Sequence, residues 1–150
     1  MNRRFVFLAA TLFCASALQF FVAHGKDGDK AHVTPAEAVT FTPLDRTKPG
    51  GPQISVVSGD LGADAPVTFF LKVTKISSGA HSHPAGYHAV IVRGESRHFV
   101  PGSEHTAQTL GPGSVLYEPA QRIHVDECLA EECLVLIISE GRFSTVPAPK

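Results

Sequence analysis

Strict alternation in short stretches is what most limits the folds open to this chain. From Val67 to Lys75, Val67, Phe69, Leu71 and Val73 point one way and Thr68, Lys72 and Thr74 the other. Phe70 is the one large apolar residue on the polar side. Successive side chains of a strand leave opposite faces, so a period of two predicts a half-buried strand. Similar pieces recur at Ile54–Ser58, Tyr87–Arg93, Arg97–Val100, Ser114–Glu118 and Arg122–Asp126, with a weaker one at Thr106–Leu110. The continuously apolar Leu134–Ile138 is predicted to be a central strand. Turn clusters separate them: Gly59–Asp64, Ser77–Ala80, Gly94-Glu95, Pro101–Ser103 and Gly111–Gly113. With 13 Gly, 11 Pro and no segment of helix length at a 3.6 period, the chain reads as all-β, a sandwich or barrel of about nine strands. Thr34-Pro35-Ala36-Glu37 opens at most one helical turn, with Thr as N-cap and Pro at N1. Residues 26–41 read as a flexible lead-in, residues 42–146 as one domain, and Phe143–Pro149 as a tail.

The first 25 residues read as an address. Arg3 and Arg4 precede an apolar run from Phe5 to Ala23, interrupted only by Thr11, Ser16 and Gln19, and Ala23-His24-Gly25 offers small residues for signal peptidase. The rival reading is an uncleaved anchor, since the run approaches spanning length. The charged Lys26-Asp27-Gly28-Asp29-Lys30 that follows at once favours cleavage, and with it a periplasmic or secreted protein with no membrane attachment. Cleavage also removes Cys14 and leaves Cys128 and Cys133, an even pair. In an exported chain such a pair reads as a disulfide, with a redox or metal-binding thiol pair as the alternative. Their spacer, Leu129-Ala130-Glu131-Glu132, suits a loop between two strands. A formal charge of −1 at pH 7 gives no basic surplus for nucleic acid.

Histidines carry the chemistry. His81 and His83 stand at i and i+2, on one face of a strand. His88 shares its face with Val90 and Val92, the inward face if they line a core, and His124 shares a face with Arg122 and Asp126. Several convergent imidazoles suit Fe, Ni, Cu, Zn or Mn. An Asp beside a ligand imidazole can orient it; a rim ion pair is the plainer role for Arg122 and Asp126. His98 and His105 read as solvated strand or loop residues. There is no nucleophile elbow and no Walker loop.

Gly79-Ala80-His81-Ser82-His83, then His88 and Gly94, resembles the first cupin motif; Gly113, Pro119 and His124 resemble the second. The resemblance covers about residues 42 to 146 and implies a single cupin jelly-roll β-barrel. It is similar in detail to small uncharacterised cupins and to the cupin modules of zinc-binding anti-sigma factors. Carried over position by position, it implies that His81, His83 and His124 bind a divalent transition metal. It places His88 where the family usually has Glu. That departure leaves an all-imidazole site, as in the three-His iron dioxygenases of the family. Tyr87, Tyr117, Arg122 and Asp126 are then candidates to support the ligands or touch substrate. The implied function is a small-molecule dioxygenase; the alternatives are a ligand-binding or sensor module with structural zinc, or a metal-free barrel. Cupins often dimerise through sheet edges, so a homodimer is expected.

Overall fold

A computed structural model describes residues 31–149. The leader reading and the charged run after it lie outside the described residues. Residues from Thr34 onward form one compact unit.

Nine strands build it: β1 (Thr42–Pro43), β2 (Gln53–Ser58), β3 (Val67–Ser77), β4 (His81–Ser82), β5 (Tyr87–Arg93), β6 (Ser96–Phe99), β7 (Val115–Glu118), β8 (Val125–Ser139) and β9 (Val146–Pro147). The larger sheet runs β1-β2-β3-β8-β5-β7, with β6 also paired to β8, and β4 pairs with β9 in a small second sheet. All pairings are antiparallel. The fold is all-β, as the alternation implies, and a jelly roll, as the cupin resemblance implies. The helical turn expected after Thr34 is a single 3-10 turn, Ala36–Ala38.

Register explains the core. Phe69 of β3 faces Ile137 of β8, Ile137 faces Ala89 of β5, and Ala89 faces Leu116 of β7. That row points inward. Phe69, Ile137 and Ala89 are buried, joined by Ile54, Val67, Tyr87 and Phe143, with Leu116 packed against them. One rung along, Val67, Ser139, Tyr87 and Glu118 also line up, and all four are buried. A polar pair is thereby drawn inside by strand parity.

Four expectations are corrected. Thr106–Leu110 is not a strand: Glu104–Thr106 forms a 3-10 turn, and only Leu110 bridges to Ser96. Arg122–Asp126 and Leu134–Ile138 are not separate strands, because β8 runs unbroken from Val125 to Ser139. Cys133 faces Val73 and Cys128 faces Ile76, so the residues between the cysteines bulge from one continuous strand instead of looping between two. Cys128 and Cys133 are disulfide-bonded across that bulge, their Cα atoms 5.8 Å apart. Finally, Phe143–Pro149 is no loose tail, since β9 pairs with β4 and Phe143 is buried.

Gly94 shows why a tight turn must follow β5. It has φ +86°, and a Cβ there would sit 2.5 Å from the Glu132 carbonyl oxygen and 2.9 Å from Cys133 Sγ.

Candidate metal centre

The two motifs meet through the backbone. His81 N–H donates to the His124 carbonyl at 3.0 Å, and His124 N–H to the His81 carbonyl at 2.8 Å. Gln121 N–H donates to the His83 carbonyl at 2.8 Å. Gln121 takes φ 64°, the left-handed region that side chains other than Gly rarely adopt, and the turn after Pro119 is thus held by His83 itself. The ring centroids of His81, His83 and His124 lie 4.4 to 5.3 Å apart. All three side chains are buried, His124 completely.

Hydrogen bonds choose the tautomers. Nδ1 of His81 lies 2.8 Å from the Gly79 carbonyl, Nδ1 of His83 lies 2.9 Å from the Ser144 carbonyl, and Nδ1 of His124 lies 3.0 Å from the Arg122 carbonyl. A carbonyl oxygen only accepts, so each Nδ1 carries a proton, and the lone pair of the neutral tautomer then falls on Nε2. The sequence did not show these backbone anchors. One of them, Ser144, comes from the segment read as a tail. His83 also stacks on Phe143, centroids 4.3 Å apart. Burial pulls the His83 pKa down to about 4, so its ring is neutral at pH 7.

Asp126 stands on the same side. Its Oδ2 lies 3.6 Å from His81 Nε2 and 3.5 Å from His124 Nε2. Burial opposes its ionisation, but the imidazoles of His124 and His98 beside it prevail and hold the carboxyl below its ordinary range. Tyr87 is buried, its hydroxyl 3.4 Å from His124 Nε2, and burial pushes its phenol above the ordinary range. Each of the three imidazoles offers one ligand atom, and these atoms all lie within 4.8 Å of one another. Three imidazole nitrogens beside one carboxylate fit a divalent transition ion. The donor atoms alone leave the choice of metal open.

The structure does not bring His88 to this centre. Tyr87, Ala89 and Ile91 take the inward face of β5, and His88 lies exposed on the outer face. Its ring packs against Tyr117, centroids 4.8 Å apart. Tyr117 is likewise exposed and outward. Arg122 turns away too: its side chain is half-exposed, with Nε 3.9 Å from Glu118 Oε1, and it lines a separate cleft with Phe99 and Gln108. Of the four supporting candidates, only Tyr87 and Asp126 face the histidines.

Sequence reasoning missed His98 and Glu118. The register of β6 on β8 sets His98 opposite Asp126, and His98 Nδ1 reaches Asp126 Oδ1 at 2.7 Å. The other nitrogen, Nε2, reaches Glu118 Oε2 at 2.7 Å. Burial works against the imidazolium, but the two carboxyl groups outweigh it and raise the His98 pKa. Glu118 Oε1 is buried with no hydrogen-bond partner among the described residues. The His98 and His124 rings lie 4.7 Å apart. A cross-strand pairing made by residues this far apart in sequence leaves no local signal.

Behind the histidines lies a cavity of about 360 Å³, walled mainly by aliphatic side chains of β3, β5, β7 and β8. Its size is that of a small-molecule site.

No family model matches the chain, and no curated protein sequence matches it. Solved structures do. The polyketide cyclase RemF from Streptomyces resistomycificus superposes with a TM-score of 0.61 at 16% identity, covering 81% of this chain and 87% of that one. The DMSP lyase DddQ from Ruegeria pomeroyi gives 0.58 at 17%, covering 82% and 73%. An RmlC-like cupin from Shewanella frigidimarina gives 0.57 at 17%, covering 75% and 94%. At such identity the likeness shows the fold alone: the chain shares the fold of these proteins, an RmlC-like cupin among them.

Proposed function

We propose that the protein is a metal-dependent enzyme that transforms a small molecule inside its barrel. One observation carries this reading: three imidazoles, each bonded through Nδ1 to a backbone carbonyl, gather with Asp126 beside an apolar cavity that His81, His83 and Asp126 line. His81, His83 and His124 would hold the metal. Bound there, a divalent ion supplies Lewis acidity, and a redox-active one supplies electron transfer for oxygenase chemistry, the reading drawn from three-His dioxygenases. Asp126 offers a carboxylate beside the reacting end of a ligand, placed to accept a proton or to orient one. Tyr87 offers a neutral hydroxyl that can hydrogen-bond a polar head. The apolar wall excludes water. A lyase and a cyclase among the neighbours lend precedent for catalysis in this fold.

The second reading is a ligand-binding or sensor module with closed-shell zinc, favoured by the full burial of His124. We also place the protein outside the cytoplasm, periplasmic or secreted, a reading supported by the leader-like N-terminus and the Cys128–Cys133 bridge. We further propose a homodimer, supported by exposed Val115, Tyr117 and Ile138 on the outer sheet face. A monomer by light scattering at micromolar concentration would refute it.

The deciding experiment is metal content by mass spectrometry on chelator-free protein, with His124→Ala beside it. Near-stoichiometric metal, lost in the variant, is expected. Turnover of a diketone, thiol or acyl-thioether panel with the loaded protein then separates enzyme from sensor. No metal after reconstitution sinks both metal readings.

A further inference from the structure

The cavity behind the histidines is mostly apolar, with Ser78, Ser96 and Thr145 scattered in its lining. Leu71, Ala89, Ile91, Leu116, Val135 and Ile137 form its wall. The polar end is His81, His83, Tyr87, His98 and Asp126. Arg97 and Glu127 also line it, but they are occupied with each other: Arg97 Nε donates to Glu127 Oε2 at 2.9 Å, and a second, shorter contact joins Nη2 to the same oxygen. His98 is likewise engaged by Asp126 and Glu118. Every cationic side chain that lines this cavity therefore already faces a carboxyl group.

We infer that the substrate is a molecule with an apolar, uncharged body and a single hydroxyl, enol or thiol head, of the alkylphenol or alkyl-enol kind. It is not a sugar acid or a phosphate. The head rests on the metal-centred reading above; the body rests on the cavity wall alone. A ligand with hydroxyls along its length would press most of them against Leu71, Ile91 and Val135, whose side chains neither accept nor donate a hydrogen bond, and those would lose their hydration uncompensated. A second anionic group would meet no unpaired cation. At about 30 Å³ per displaced water, the cavity holds a body of roughly a dozen non-hydrogen atoms. That is the size of a monocyclic ring with a short alkyl chain.

The zinc-loaded chain, redox-inert, is titrated calorimetrically with phenol, 4-ethylphenol, 4-propylphenol, galacturonate and glycerol 3-phosphate. Affinity should rise roughly fourfold with each added methylene, the fold-change expected for burying one. Galacturonate and glycerol 3-phosphate should not bind. Leu71→Phe, which narrows the wall without touching the polar end, should abolish the methylene increments and leave zinc content unchanged. Glu127→Gln releases Arg97 and should add binding of 4-propylbenzoate, which the parent protein rejects. Affinity that is flat along the alkyl series overturns the inference, and so does galacturonate binding as tightly as 4-propylphenol. Should Leu71→Phe fail to fold, the Glu127→Gln comparison still decides the charge half, and the alkyl series on the parent decides the apolar half. Zinc content separates this from the broader reading: a chain that takes no metal yet shows the alkyl dependence loses the metal centre and keeps the substrate class. A chain that takes metal and shows no alkyl dependence does the reverse.

Discussion

Two kinds of buried histidine sit side by side in this barrel. His81, His83 and His124 each hand their Nδ1 proton to a backbone carbonyl. His98, its ring 4.7 Å from that of His124, faces a carboxyl group on both nitrogens. A carbonyl accepts from Nδ1–H, so in the neutral imidazole the lone pair falls on Nε2. Two carboxyl groups favour the imidazolium, which has no lone pair to give. The residue type is the same; the acceptors opposite decide which rings have Nε2 clear of a hydrogen bond to a carboxyl group and which has both nitrogens engaged by one.

The sharpest break of this comparison is removal of a ligand. His124→Ala should take the protein from near-stoichiometric metal to almost none by mass spectrometry, with its circular dichroism retained. His98→Ala should not remove a ligand, yet it should cost stability heavily. It strands the fully buried Glu118 and leaves Asp126 with one partner fewer, and breaking such a buried pair typically costs about 3–5 kcal/mol in chemical denaturation. If His98→Ala loses metal as completely as His124→Ala while remaining stable, the division between the two kinds fails.

Acidity should then pull the two apart in metal-free protein. The His83 pKa falls from the ordinary 6.5 to about 4 on folding, so the unfolded chain binds the extra proton across that window. Stability from His83 is present above 6.5 and is lost as pH falls towards 4, by up to about 1.4 kcal/mol per unit. His98 has the opposite sign. Its raised pKa adds stability that is complete below the ordinary value and is lost as pH rises through the folded one. Urea midpoints across pH should therefore decline on the acid side, less steeply in His83→Gln. His98→Gln should lack the alkaline decline instead. The smallest effect belongs to the outer face: His88→Ala and Tyr117→Ala should each leave metal content unchanged and shift stability by no more than about 0.5 kcal/mol.

Strand β5 shows why part of the site was hidden. Tyr87, Ala89 and Ile91 compete with Val90 and Val92 for the inward face, and both parities are apolar enough to be the buried one. Only pairing with β7 and β8, which sets Ala89 beside Leu116 and Ile137, settles the parity. One step of parity moves His88 out and brings Tyr87 in. In β3 there was no such ambiguity, since Val67 and Phe69 alternate with Thr68 and a single Phe70, and its inward face was legible.

What the sequence determined by itself was therefore local: the alternation that makes strands, the glycines and prolines that end them, and the spacing of His81, His83 and His124 that resembles the cupin motifs. These depend on neighbours a few residues apart, whose geometry the backbone dictates. The tertiary structure alone decided which face of β5 looks inward, which carbonyls set the imidazole tautomers, and that His98 lies between Asp126 and Glu118. Each of those depends on residues brought together by sheet register, and hydrogen bonds of about 3 Å are formed or lost by a shift of a single residue.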